Sequence, residues 1–160
     1  MFKPWAIAAI SLSLLATAAS AAEDPQTGHW VLDLKRSKYV TATLPKMSEA
    51  TLTPLGPDGV SLKVNMITAK GEEAHIMYSG QYDGKPNPRT ETGAGAISGQ
   101  TVTLKRVGPR AVQRVVYLKG KNVGEEVWSI SADGKTRTVV QSGTDAKGKK
   151  IDNLQIYVKQ

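Results

Sequence analysis

The sequence of 160 residues contains no cysteine, a single phenylalanine and only two histidines. Without cysteine there is no disulfide, no thiol nucleophile and no thiolate metal site. The histidines, His29 and His75, stand far apart and outside any H-x-H or H-E-x-x-H spacing, so no metal site is expected. Serine never falls in a G-x-S-x-G elbow, although "ISG" and "QSG" are present. Glu125 and Glu126 are neighbours, and neighbours on a strand face opposite ways, which rules them out as an acid/base dyad. The glycine-rich "GAGAISG", Gly93 to Gly99, lacks the lysine and the helix that a phosphate loop needs. These absences point away from an enzyme, and no cofactor is expected.

Charge is plentiful and one-sided. Residues 1–22 read as a secretory signal peptide: a basic start "MFK", the uncharged "WAIAAISLSLLATAA", and small residues that permit cleavage after Ala21 or Ala22. That places the protein in the periplasm or outside the cell. No later stretch is apolar enough to span a membrane as a helix. Residues 23–160 then form one domain, long enough to build a core of its own. Removing the leader takes away only Lys3, so 20 basic and 14 acidic side chains remain, a net of +6. Such a balance suits an anionic ligand or surface, or simply a lysine-rich soluble exterior. Export, and the lack of a sheet face mixing aromatic and basic residues, argue against nucleic acid.

From Gly28 onward the dominant period is two. "WVLDL", "VSLKVNM", "AHIMYSGQY", "TVTLKRV", "AVQRVVYL", "EVWSI", "TRTVV" and "NLQIYV" alternate over short runs, the pattern of half-buried strands. Tight-turn signals recur at Asp58-Gly59, Asp83-Gly84, Gly108 to Arg110 and Asp133-Gly134, 25 residues apart each time. About ten strands follow, at 29–35, 49–55, 60–68, 74–82, 88–92, 100–107, 111–118, 123–131, 136–143 and 150–158. The fifth is the weakest, because Pro86 and Pro88 crowd its start. A meander of this kind removes its edges by closing, so the expected fold is all-β, an antiparallel up-and-down barrel of about 8–10 strands.

In such a barrel the tight turns gather at one end. The links at 36–48, 70–73, 93–99, 119–122 and 144–149 gather at the other, which is expected to be looser. That open end is basic. Arg36, Lys38, Lys46, Lys70, Lys119, Lys121, Lys147, Lys149 and Lys150 face Glu49, Glu72, Glu73 and Asp145, nine positive residues against four negative. Lysines at hairpin tips also keep edges soluble, so the rim reads equally as plain solubility.

The opening "GHWVLDLKRSKY" now takes on meaning. Gly28-x-Trp30 at the head of the first strand resembles the signature of lipocalins and the wider calycin barrels. The same stretch, with the turn pattern through "GTDAKGK", resembles small exported bacterial proteins with lipocalin-like folds and no established activity. The resemblance implies that Trp30 plugs the closed end and that a basic side chain from a late strand, Arg114 or Arg137, packs across it. It also implies that the first loop, 36–48, covers the mouth. The chain departs from lipocalins in having no disulfide and in ending on a strand. Ten strands approach the fatty-acid-binding barrels, but their helical pair does not fit into 36–48. Only the architecture carries over, without a ligand.

The residues expected to face inward are Leu62, Met66, Tyr78, Tyr82, Val102, Leu104, Val116, Trp128, Ile130, Val140 and Ile156. Among them Leu62, Met66, Tyr78, Tyr82, Leu104, Val116, Trp128 and Ile130 are the candidates to line a cavity. Glu126 shares a face with Trp128 and would need Arg114 or Arg137 beside it if buried. Two functions remain: an exported barrel holding a small hydrophobic or amphipathic ligand, and a non-catalytic envelope interaction or stress protein. The second would have a filled barrel and use its basic end (Lys46, Lys70, Lys119, Lys121, Lys149, Lys150) on anionic polymer or membrane surface.

Overall fold

Eleven strands and no helix make up the computed structural model, which describes residues 23–40, 43–144 and 148–160. The leader-like segment 1–22 lies outside the described residues, as do Asp145 and Lys147 of the basic rim. The strands are β1 (Gly28–Leu32), β2 (Lys38–Tyr39), β3 (Met47–Pro54), β4 (Gly59–Ile67), β5 (Glu73–Gln81), β6 (Asn87–Gly93), β7 (Gln100–Gly108), β8 (Ala111–Leu118), β9 (Lys121–Ile130), β10 (Thr136–Thr144) and β11 (Lys150–Lys159). Each pairs antiparallel with its neighbour in sequence from β3 to β11, and β1 pairs with both β3 and β11. Ten strands thus close an up-and-down barrel. The short β2 adds to β11 above β1.

The first strand ends earlier than its alternation suggests. The Asp33 carboxylate accepts the backbone N–H groups of Lys35 and Arg36, and Ser37 bonds back to the Asp33 carbonyl. This Asx-type turn breaks the strand at residue 33 and lets β2 resume it. The fifth barrel strand, β6, does form. It pairs with β5 over Ala74–Tyr78 but with β7 only at Asn87, Pro88 and Arg89. Pro88 cannot donate to the ladder, and beyond Arg89 the two strands part.

The turns after β3, β5, β7 and β9 lie at one end, as the spacing suggests, but the expected contrast between tight and loose ends is only partial. The link between β8 and β9, at the open end, is a two-residue turn. Lys119 and Gly120 both take positive φ, 50° and 77°, the combination a two-residue hairpin needs. Lysine rarely adopts that conformation, so the sequence gives little warning of it.

Trp30 closes the tight-turn end and is wholly buried. Its indole N–H donates to the Gln26 carbonyl at 3.0 Å. Residues 23–27 pass beneath the barrel: Gln26 donates to the Arg110 carbonyl, and Asp24 receives the Tyr82 hydroxyl and pairs with Arg106 at 3.3 Å. The basic side chain over Trp30 is Lys159, its ammonium 5.5 Å from the ring centre. Arg114 and Arg137, expected there, point into the other half of the barrel. Gly28 explains why the motif begins with glycine. Its φ is +131°, and a Cβ there would sit 2.5 Å from the Lys159 side chain.

Trp30→Ala should destabilise the protein by roughly 3–5 kcal/mol, since a large buried plug is removed. Lys159→Ala should cost far less, about 1 kcal/mol, because an exposed cation–π contact is weak. Urea unfolding with an unchanged m-value checks both. Equal losses would show that Lys159, not the indole, holds the end shut.

Candidate functional site

The barrel is filled at one end and hollow at the other. Around Trp30 the interior is packed by Leu52, Val60, Val102, Leu104, Val112 and Ile130, all buried. Above them lies a cavity of about 290 Å³. One wall is apolar, built by Ala50, Leu62, Val64, Met66 and Ile76 of β3, β4 and β5. The opposite wall carries Arg114 of β8, Glu126 and Trp128 of β9, Arg137, Val139 and Gln141 of β10, and Asn153, Gln155 and Tyr157 of β11. Tyr78 and Arg89 complete the ring, and Tyr39, Thr43 and Pro45 of the first connection stand at the mouth. A shallower groove continues outward from Thr43, Pro45 and Met66 past Thr68, Lys70, Glu72 and Gly95.

Of the expected lining residues, Leu62, Met66, Tyr78 and Trp128 do line the cavity. Leu104, Val116 and Ile130, like Val102, are inward but belong to the packed core. Tyr82 lies low, bonded to Asp24 with the Arg106 guanidinium 4.3 Å above its ring. Val140 is 48% exposed, and its neighbours Val139 and Gln141 line the cavity instead. Ile156 likewise falls on the face opposite Gln155 and Tyr157. The mistake has one physical origin. Assigning the apolar set inward fails on β10 and β11, because there the cavity wall is polar. Gln141, Asn153, Gln155 and Tyr157 were missed for that reason, and Arg89 because β6 carries no apolar alternation to mark its inward face. The presence of Arg137, Val139 and Gln141 on one alternation was the available signal.

Glu126 anchors the polar wall. It forms a buried ion pair with Arg114 through Oε1, which also accepts from Gln141 at 3.2 Å. Its Oε2 accepts the Trp128 indole N–H at 2.8 Å. The chain of contacts continues from Asn153 to the Gln141 oxygen at 2.9 Å, and from Tyr157 to Gln155 at 3.1 Å and Ser48 at 3.3 Å. Burial alone would raise the Glu126 carboxyl, but Arg114, the indole bond, Arg89 and Arg137 together hold it below the usual glutamate range. Burial pushes the Arg114 guanidinium down, and Glu126 and Tyr78 together more than reverse this. Burial also raises the hydroxyls of Tyr39, Tyr78 and Tyr157.

The other two arginines differ from each other. Arg89 pairs with Glu91, whose second oxygen accepts the Ile97 N–H at 2.9 Å and so ties down the 94–99 loop. Among the described residues Arg137 has no carboxylate partner. It stacks over Trp128 at 4.3 Å and lies 6.0 Å from the Tyr157 ring centre. The Nε atoms of all three arginines and the Tyr78 hydroxyl are buried without a hydrogen-bond partner.

The rim residues Lys46, Lys70, Lys119, Lys121, Lys149 and Lys150 are exposed and lie at the open end, with Lys150 3.8 Å from Asp152. Only Lys70 borders the groove that leads to the cavity. Among the described residues no group of His, Asp and Glu is arranged to hold a metal ion. His29 contacts Thr51, and His75 contacts Asn65, both on the outer face. No protein-family model matches the chain, and no curated protein matches it in sequence.

Glu126→Gln should lower stability by roughly 3–5 kcal/mol, because it leaves Arg114 buried without its counter-charge. The pH dependence has a definite sign. A carboxyl held low in the native state stabilises above its unfolded value, and the stabilisation is lost as pH falls through its native value. Wild-type unfolding free energy should therefore drop below the ordinary glutamate range by a step that is missing in Glu126→Gln. Equal acid profiles in chemical unfolding would show that the pair contributes nothing.

Proposed function

We propose that the chain is an exported, non-catalytic carrier that holds a small amphipathic molecule in the hollow half of its barrel. One observation carries this: the interior is divided into an apolar wall and a hydrogen-bonding, arginine-lined wall across a single cavity. Its volume lies at the lower end of the range of small-molecule sites. The cavity's carboxylate, Glu126, is committed to Arg114 and Trp128 rather than set beside a nucleophile as its base. A side chain spent on an ion pair is poorly placed to shuttle protons. Export rests on the leader-like character of residues 1–22. The lysine-rich open end would raise the local concentration of anionic ligands at the mouth. The second reading, a filled barrel acting through that basic end on an anionic surface, is disfavoured by the empty half.

Leu62→Trp, which pushes an indole into the cavity from the apolar wall, should abolish uptake of environment-sensitive fatty-acid or isoprenoid probes. Its fold should persist by circular dichroism. Ligand entry in the parent protein should change emission from Trp128 but not from Trp30, which Trp128→Phe would establish. Probe uptake unaffected by Leu62→Trp would place binding elsewhere.

A further inference from the structure

The polar wall is unbalanced in two independent ways. The first is charge. Arg89 is matched by Glu91 and Arg114 by Glu126, which leaves Arg137 as the cavity arginine without an ion pair among the described residues. Arg137 is only 2% exposed, and its Nε is buried with no hydrogen-bond partner among the described residues. Arginine does not shed its proton to escape such a site. Glu126 makes no ion pair with it, and its oxygens instead accept from Arg114, Trp128 and Gln141. The second imbalance is in hydrogen bonding. The Nε–H groups of Arg114 and Arg137 are buried at this wall with no acceptor, and so is the hydroxyl of Tyr78 beside it in the ring. Buried donors in native proteins are nearly always paired, so a set of orphans around one cavity marks a missing acceptor.

We infer that the cavity is built for a ligand with a single negative charge, a carboxylate, whose head sits on Arg137 beside Tyr78 and whose apolar part runs along Leu62, Val64 and Met66 toward the mouth. This rests on the reading of the hollow half as a binding cavity. One surplus positive charge calls for one negative charge. A phosphate monoester brings nearly two and would leave the site negative. Arg137 lines the cavity with its guanidinium 4.3 Å over the Trp128 ring, and arginine is the side chain suited to grip a carboxylate with two bonds. The shared lining of cavity and groove at Thr43, Pro45 and Met66 lets a longer tail leave between the first connection and β4, toward Lys70.

The test compares three ligands that share one tail: octanoate, 1-octanol and octyl phosphate, each titrated into the purified protein by calorimetry or by displacement of an apolar probe. Octanoate should bind about tenfold to a hundredfold more tightly than octanol, the range of a charge-assisted hydrogen bond. In Arg137→Met that advantage should vanish while octanol binding stays. The variant should unfold at the same or a higher urea concentration than wild type, because an uncompensated buried charge is removed. Octanoate and octanol binding equally well to wild type would overturn the carboxylate assignment and leave the cavity reading intact. Tighter binding of octyl phosphate would overturn the single-charge assignment. No binding of any of the three would overturn the cavity reading itself, and the inference with it. Unchanged octanoate affinity in a destabilised Arg137→Met would make Arg137 a structural residue.

Discussion

Glu126 accepts hydrogen bonds from Arg114, Trp128 and Gln141 at once, and the hollow half of the barrel is organised around that carboxylate. It neutralises Arg114, fixes the indole of Trp128, and through Gln141 reaches Asn153 on the last strand. Because Trp128 is held, its ring face is available to Arg137. Four strands are thus coupled through one buried ion. Burying ions is costly, and apolar residues of similar volume would often be at least as stable. What such a network provides is a wall of fixed donors and acceptors around a space that side chains do not fill.

The two ends of the barrel solve different problems. At the closed end, Trp30 supplies bulk, Gly28 leaves room for Lys159 to cross it, and residues 23–27 seal the underside through Gln26 and Asp24. That end is stabilised by apolar burial. At the other end, strands β6 and β7 part beyond Arg89, and the gap is bridged by the 94–99 loop on Glu91. The first connection brings Pro45 and Thr43 over the mouth. Rigidity is concentrated where the core is packed, and the cavity lies where backbone pairing is thinnest.

Much of this was legible from the residues. Alternation and Asp-Gly turns located ten barrel strands, including β6 despite its prolines, and the resemblance of Gly28-x-Trp30 to the lipocalin signature marked the closed end. A buried Glu126 called for Arg114 or Arg137 beside it, and Arg114 is the one that pairs. What was not legible has a common cause. Inward faces are read from hydrophobicity, and half of this interior is polar, so Val140 and Ile156 were placed inward at the expense of Gln141, Gln155 and Tyr157. The partner of Trp30 was sought among valine-rich strands, whereas Lys159 sits in the last residues of the chain, in register with Trp30 across β1 and β11. The two-residue turn at Lys119 hides behind a residue that rarely takes positive φ.

A crystal structure of the protein isolated from the cells that make it would test the central claim most directly. The account predicts non-protein density in the upper half of the barrel, with an acidic head within hydrogen-bond reach of Arg137 and its tail against Leu62 and Val64. Side chains that fill the cavity, with Arg137 paired to a carboxylate of the protein itself, would contradict it.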